Sequence, residues 1–172
     1  MIYKIFAFIT SINKAMFWVT GFMIVFLSFL VFYDVIARYF FSSPSRWGFD
    51  LSTWLTGMAA FLAGGYVLFL NEHVRVDIFY SEFSDRVKSI IDIFTAVFIF
   101  LIVIALVWTG GARVLSYYES GAISSTGLSV YLWVKWLMLP VGGLLLGLQA
   151  LVNLINDIYT AITGKKLSKE GM

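Results

Sequence analysis

The chain has no cysteine, one histidine and two prolines among its 172 residues. The lack of cysteine excludes a disulfide framework, a thiolate metal site and a nucleophilic thiol. The single histidine, His73, cannot supply the paired axial ligands of a membrane haem protein, and methionine at helical spacing is more often a packing residue than a second ligand. The sequence contains no carboxylate cluster at metal-ligand spacing and no phosphate-binding glycine motif. We therefore expect no enzyme activity, no metal and no cofactor.

Charged residues and histidine are also missing from four long stretches, at residues 15–33, 51–71, 93–112 and 136–156. Each stretch has about 20 residues, and as an α-helix it would be roughly 30 Å long, which matches the hydrocarbon core of a bilayer. Hydrophobic residues make up 60% of the chain, too many for a soluble protein of this size. The sequence predicts an all-α integral membrane protein, in contact with membrane lipids, whose four transmembrane helices form one domain over residues 1–172.

The distribution of basic residues predicts the orientation of the spans. The two termini and the loop between the second and third spans carry eight Lys and Arg residues, whereas the other two loops carry four. The positive-inside rule therefore places both termini in the cytoplasm. An interfacial belt on the other face is indicated by five of the six tryptophans, Trp47, Trp54, Trp108, Trp133 and Trp136. The basic residues form no run, so we expect no nucleic-acid binding.

The segments beside the spans are amphipathic. Before the first span, apolar residues recur every three or four positions, which predicts a segment at the inner interface before the chain turns across the membrane. This apolar region is longer than a signal-peptide core and has no small-residue cleavage site, so we expect a retained first span. Ser43 and Pro44 favour a helix start in the first outer loop, and Ser84 is a candidate N-cap of the third helix.

Small residues inside the spans predict where helices touch, because they allow close backbone approach. The candidates are Gly57, Ala60 and Gly64 in the second span and Gly143 and Gly147 in the fourth. We expect these contacts mainly within the chain, with contact to another chain as the alternative. The polar residues inside the spans are interpreted as interhelical hydrogen-bonding groups rather than a substrate site; they are chiefly Thr20, Ser28, Thr56, Thr95, Thr109, Gln149 and Asn153.

Two polar clusters lie beside the spans. The first consists of Asp34, Arg38, Arg46, Trp47 and Asp50. Its members Asp34 and Arg38 have the i, i+4 spacing of an ion pair on a helix surface, and the cluster is either a charged girdle at the membrane edge or a contact with a partner. The second cluster, directly after the second span, consists of His73, Arg75 and Asp77. We expect the first cluster to organise the outer face and the second to fix the inner ends of spans two and three.

Four motifs follow one another along the chain. They are Asp34-Val35-x-x-Arg38-Tyr39, Pro44-x-x-Trp47-x-x-Asp50-Leu51-Ser52, His73-Val74-Arg75-Val76-Asp77 and Leu139-Pro140-Val141-Gly142. Their order within four spans resembles the small membrane subunit of TRAP transporters, the tripartite ATP-independent periplasmic family. The layout is similar over nearly the whole chain, and the motifs lie mainly between residues 34 and 77. One departure is Asp50, where the family more often has a glutamate.

This resemblance implies a three-part importer in a bacterial inner membrane. In the family, a soluble periplasmic protein captures an organic acid such as a C4-dicarboxylate or sialic acid, and a larger multispan subunit carries it with sodium. The resemblance implies that this chain braces the large subunit and helps to dock the periplasmic substrate-binding protein. The alternatives are an autonomous four-helix transporter that works as a homo-oligomer, and an assembly or anchoring protein of another membrane complex. The absence of charge inside the spans argues against the autonomous transporter.

Overall fold

The computed structural model describes residues 2–70, 83–124 and 127–164, and this part of the chain is almost entirely helical. The helices are α1 (Ile2–Phe41), α2 (Gly48–Phe69), α3 (Asp85–Ser120), α4 (Leu132–Trp136) and α5 (Met138–Thr163). Within these described residues, four segments are long and apolar enough to cross a membrane: α1, α2, α3 and the combined α4–α5 segment. The prediction of an all-α membrane protein with four transmembrane helices is confirmed.

Helix α1 is one uninterrupted helix of 40 residues, about 60 Å long. It extends past the predicted first span on both sides, so the expected turn between the N-terminal segment and that span is wrong. The buried face of α1 explains the continuity. Phe6, Thr10, Asn13 and Thr20 lie on one side of the helix and are all buried, so the N-terminal segment and the span pack with the same face.

The connection from α1 to α2 is a tight turn held by Asp34. Ser42 adopts a left-handed conformation with φ of 50°, which ends α1. The backbone N–H and the hydroxyl of Ser45 both donate to the Asp34 carboxylate. Residues 43–47 are thereby drawn into the turn, and α2 begins at Gly48. The predicted helix start at Ser43 and Pro44 is therefore wrong.

The starts of the two later spans follow local sequence signals. Helix α3 begins directly after Ser84, which has the extended backbone of an N-cap although its side chain makes no capping bond. The last span is interrupted at Leu137, between α4 and α5. Pro140 accounts for this interruption, because it has no N–H to donate to the carbonyl of Trp136, four residues earlier.

The long helices lie side by side in the order α1, α2, α5, α3. Helix α2 packs against α1 and α5, and α5 packs against α2 and α3; within the described residues, α1 touches α5 only slightly and makes at most marginal contact with α3. Buried residues make up 28% of the most apolar windows of α2 and of α4–α5, but only 11% and 6% of those of α1 and α3. The four spans therefore form a row with α1 and α3 at its edges, rather than a closed bundle.

The row has two different ends. The two-loop end carries the turn at 42–47 and the loop between α3 and α4, whereas the terminal end carries the start of α1 and the end of α5. In the α3–α4 loop, Ile123 and Tyr131 form an isolated antiparallel bridge, and the N–H of Ser124 donates to the carbonyl of Val130 at 2.9 Å. This pairing closes the loop on itself and holds Ser124 near α4.

Candidate functional site

Asp34 organises the first polar cluster, at the two-loop end. Arg38 Nη2 donates to Asp34 Oδ2 at 3.0 Å, in the i, i+4 geometry that the sequence suggested. The Asp34 side chain is 16% exposed and that of Arg38 is 58% exposed. The other carboxylate oxygen accepts the Ser45 N–H at 2.9 Å. Because one carboxylate binds both its own helix and the following turn, it sets the direction in which the chain leaves α1.

Asp50 belongs to a second ion pair, which joins three segments. Lys135 Nζ lies 3.0 Å from Asp50 Oδ2 and 3.1 Å from Ser124 Oγ, and the Ser124 hydroxyl donates to Asp50 Oδ2 at 3.3 Å. The side chains of Lys135 and Asp50 are only 15% and 16% exposed. Helix α2, the α3–α4 loop and α4 are tied together by these bonds. Sequence reasoning missed Lys135 and Ser124, which lie 85 and 74 residues from Asp50 and carry no local signal.

The two ion pairs lie at nearly the same height along the row. A Cβ atom on Gly48 would lie 3.3 Å from Asp34 Oδ1, and Gly48 precedes Asp50 by two residues, a rise of about 3 Å. We call this layer, formed by Asp34, Arg38, Asp50 and Lys135, the charged girdle. Its place at the boundary of the charge-free stretches fits the edge of a hydrocarbon core.

The two loops of this end pack on each other backbone to backbone. A Cβ atom on Gly127 would overlap the carbonyl of Arg46 and lie 2.8 Å from the Trp47 nitrogen, so only glycine fits there. The Arg46 side chain is exposed, and that of Trp47 is 41% exposed. The predicted outer cluster is therefore divided. Asp34 and Arg38 pair with each other, Asp50 pairs with Lys135, and Arg46 and Trp47 remain at the surface.

Aromatic contacts fasten the end of α3 to α4. The Arg113 guanidinium lies 5.3 Å from the centroid of the Trp136 ring, within the range of a cation–π interaction. The rings of Tyr117 and Trp136 are 5.9 Å apart, and Tyr118 meets Trp133 edge-on at 5.8 Å. Two of the tryptophans predicted to anchor this face thus also pack against the chain itself.

A chain of carboxamides joins α1, α2 and α5 towards the terminal end. Asn13 Nδ2 donates to Gln149 Oε1 at 3.3 Å, and Gln149 Nε2 donates to Asn153 Oδ1 at 3.2 Å. Asn153 Nδ2 then donates to the carbonyl of Leu68 at 3.1 Å. Asn13 and Gln149 are fully buried, with 0% exposure. The interhelical bonding expected of Gln149 and Asn153 is present. Asn13 was not singled out from the sequence, because it precedes the first charge-free stretch.

The hydroxyl groups of the spans behave differently. Those of Thr20, Ser28, Thr56, Thr95 and Thr109 donate to carbonyls three or four residues earlier in their own helices. The expectation that these groups join helices is therefore wrong for the hydroxyls. A short side chain reaches its own helix backbone more easily than a neighbouring helix.

The glycines of the spans mark the close helix contacts. An added Cβ atom on Gly57 would lie 3.0 Å from Met138 Cε. On Gly143 it would lie 3.0 Å from Leu106 Cβ, and on Gly147 it would lie 2.8 Å from Val103 Cγ1. On Gly64 the nearest atom, Leu146 Cδ1, would be 3.9 Å away. Ala60 is exposed, and its neighbour Ala59 is the buried alanine. Sequence reasoning did not single out the tight contacts of Gly65, Gly110 and Gly142, which face Asn13, Leu139 and Phe61.

Gly65 leaves the space that Asn13 occupies. A Cβ atom on Gly65 would overlap Asn13 Oδ1 and lie 3.0 Å from the carbonyl of Leu145. Asn13 Oδ1 is buried and accepts no conventional hydrogen bond from the described residues. Its close neighbour is the Cα–H of Gly65, which can make a weak C–H···O contact. Three helices therefore meet most tightly at this glycine.

Arg86 binds the end of α5 at the terminal end. Its Nε donates to the carbonyl of Ala161 at 2.7 Å, and its Nη2 donates to the carbonyl of Ile162 at 3.3 Å. A cation at a helix C-terminus satisfies carbonyls that have no partner in the helix and complements the helix dipole. This link between α3 and α5 was not expected from the sequence. The predicted inner cluster, His73, Arg75 and Asp77, lies outside the described residues.

Apart from the hydroxyl bonds within single helices, the polar contacts described above join helices and turns. Among these residues there is no group of three His, Asp or Glu side chains that could hold a metal ion. The ion pairs, the carboxamide chain and the Arg86 bonds each connect separate segments of the row. This arrangement can keep four spans in a fixed relation.

Comparison with known proteins identifies the family. Residues 27–160 match the family model described as "Tripartite ATP-independent periplasmic transporters, DctQ component", which covers well over half of the chain. The comparison with curated proteins gave no match. DctQ is a family of transporter components rather than enzymes, and its members work with a large membrane subunit and a substrate-binding protein. The chain therefore belongs to the DctQ family, the small membrane component of TRAP transporters.

Proposed function

We propose that the chain braces the large transport subunit of a TRAP transporter and does not itself conduct the solute. The observation that carries this proposal is the row of helices, in which α1 and α3 form two edges and the spans enclose no common centre. A row gives a broad footprint in the membrane for a small number of residues. A solute path through the chain would instead favour ionisable groups or broken helices near the middle of the bilayer.

The internal bonds of the row support a bracing role. The carboxamide chain joins α1, α2 and α5, and the Asp50–Lys135 pair joins α2 to α4. A polar bond within a membrane is worth about 0.6 kcal/mol on average, with some near 1.7 kcal/mol. Several such bonds at different heights resist both sliding and rotation of the helices. A stationary frame needs this resistance if another subunit moves against it.

We further propose that the transporter imports an organic acid with sodium. This part rests on family membership, because selection of the solute belongs to the subunits that bind it. C4-dicarboxylates and sialic acids are the first solutes to test.

The same proposal includes the location and orientation of the chain. We place it in the bacterial inner membrane with both termini in the cytoplasm, since the two termini and the middle loop are richer in Lys and Arg. The two-loop end would then face the periplasm, where the substrate-binding protein docks. His73, Arg75 and Asp77 would lie on the cytoplasmic side and fix the inner ends of spans two and three.

Co-expression of the chain with the large subunit from the same gene cluster tests the bracing role. We expect the two proteins to co-purify, and the large subunit to melt at a lower temperature when it is expressed alone. Uptake in cells should require both subunits and the soluble protein. The proposal fails if the large subunit alone is equally stable and supports full uptake.

A further inference from the structure

Helix α1 carries a continuous stripe of exposed aromatic side chains along the edge of the row. Its members recur at intervals of three, four or seven residues and are each more than half exposed: Trp18, Phe22, Phe26, Phe29, Tyr33 and Phe40. The stripe is about 33 Å long. It lies beside the face that contains the buried Thr20, Leu30 and Ala37 and packs towards α2, since Leu30 and Ala37 each follow a member of the stripe by four residues. We call this stripe the α1 aromatic edge.

The α1 aromatic edge continues past the charged girdle. Phe40 lies six residues beyond Asp34, a rise of about 9 Å, and is 81% exposed. Its neighbours Tyr39 and Phe41 are 78% and 74% exposed, and Phe49 at the start of α2 is 78% exposed. The headgroup layer on each side of a bilayer is only about 5–7 Å thick. Acyl chains can therefore cover the edge as far as the girdle, but they do not reach Phe40.

The other exposed faces of the row differ from this edge beyond the membrane boundary. Helix α3 also exposes aromatic side chains within its span, at Phe94, Phe98 and Trp108. At the end of α3, Tyr117 and Tyr118 extend past the membrane boundary but are packed against Trp136 and Trp133 of the chain itself. The exposed side of α5 is aliphatic along the span, with Leu144, Leu148 and Leu151. Lipid can cover such an aliphatic face. The α1 aromatic edge carries aromatic side chains from the span to beyond the charged girdle, and aromatic side chains are enriched at protein interfaces.

We propose that the large membrane subunit of the transporter packs along the α1 aromatic edge, from the acyl-chain region to beyond the charged girdle. The occupant has to span the membrane, because a soluble protein cannot reach Phe22 and Phe29. It also has to protrude from the membrane, because lipid does not cover Phe40. In a TRAP transporter, the large subunit is the partner with both properties. The inference rests on the proposed function and specifies which surface of the chain that function uses.

Site-specific photo-crosslinking in the assembled transporter tests this surface. Phe29 or Phe40 is replaced by photoreactive p-benzoylphenylalanine in a tagged chain that is co-expressed with the large subunit and the soluble protein. Phe98 on α3 is the matched control, because it is as exposed as Phe29, at 67% against 69%. The two residues lie at opposite edges of the row. These exposed positions tolerate a larger ring without disturbing the fold. Tyr33, which is 58% exposed, provides a second position on the same edge.

We expect Phe29 and Phe40 to give adducts with the large subunit at a yield several-fold above that of Phe98. The inference is overturned if Phe98 gives the stronger adduct, if the α1 positions give only lipid adducts or dimers of this chain, or if Phe40 captures the soluble protein instead. In each of these cases a co-purified complex would leave the bracing role intact. If no complex forms and no position gives an adduct, the proposed function itself fails.

Discussion

Substitution of Gly65 by alanine tests whether the meeting point of α1, α2 and α5 holds the row together. The added methyl group would overlap Asn13 Oδ1 and lie 2.7 Å from Asn13 Cγ and 3.0 Å from the carbonyl of Leu145. Asn13 is completely buried, and the Leu145 carbonyl is part of the α5 backbone. Relief of the overlap therefore requires α1 to move away or Asn13 to give up its bond to Gln149.

The expected loss of stability follows from the overpacking and from the lost hydrogen bond. Overpacking of a tight interior typically costs about 1–3 kcal/mol, and the lost interhelical hydrogen bond adds about 0.6 kcal/mol. The higher helix propensity of alanine stabilises the helix by up to about 1 kcal/mol relative to glycine and offsets part of this loss. We expect a net loss of about 1–3 kcal/mol. For a chain of this length, that loss corresponds to a decrease of about 2–12 °C in the apparent Tm.

Gly64 is the matched control, because it is the adjacent residue and an added Cβ there would meet nothing closer than Leu146 Cδ1 at 3.9 Å. Melting of G65A and G64A in detergent can be followed by intrinsic fluorescence, since the chain has six tryptophans and no cysteine for thiol-reactive dyes. G64A should melt at or slightly above the wild-type temperature. The reasoning is refuted if G65A melts as high as G64A.

A double-mutant cycle separates this contact from a general effect on α2. N13A removes the atom that the new methyl group meets, so G65A should cost less in the N13A background than in the wild type. Residues in direct contact usually show coupling energies of about 0.5–3 kcal/mol. Additive effects would show that the contact between Asn13 and Gly65 is not the cause.

Three further substitutions test the links at the two ends of the row. K135A removes the cation that pairs with Asp50, whose side chain is 16% exposed, and should lower stability by about 1–3 kcal/mol. This loss is smaller than the loss expected when a fully buried ion pair is broken. In thermal melting, D50N added to K135A should recover part of the lost stability. R38A removes an exposed cation, so we expect less than about 1 kcal/mol of destabilisation. We also expect weaker co-purification with the large subunit and lower uptake. Lower uptake from a fully assembled, normally stable complex would argue against a bracing role for Arg38. R86A should speed amide hydrogen exchange in the last turn of α5 without affecting the two-loop end, and unchanged exchange at Ala161 would mean that the cap is not needed.

The sequence was sufficient to predict the fold class and one ion pair. Four charge-free stretches fix the number of spans, because a single ionised group inside hydrocarbon costs more than most apolar residues return. The Asp34–Arg38 pair was also predictable, since both residues lie one turn apart on one helix. These signals are local.

The remaining contacts of the candidate site depend on which helices become neighbours. Nothing near Asp50 points to Lys135, which is brought to it only when α5, the helix that directly follows α4, packs beside α2. Asn13 was not singled out for a different reason, because it precedes the first charge-free stretch of the sequence. In water, a polar residue in an amphipathic helix lies on the outer face, whereas in a membrane the buried face is the place where a carboxamide finds partners. Gly64 and Gly65 are adjacent in sequence, and only the helix arrangement distinguishes the loose contact from the tight one.

Solute flux in liposomes is the most direct test of the claim that this chain is a frame and not a path. The probe is the organic acid that raises the melting temperature of the cognate soluble protein. It is measured, under an imposed sodium gradient, with liposomes that contain this chain alone or this chain with the large subunit. We predict flux above empty liposomes only when the large subunit is present. Sodium-dependent flux through this chain alone would contradict the account.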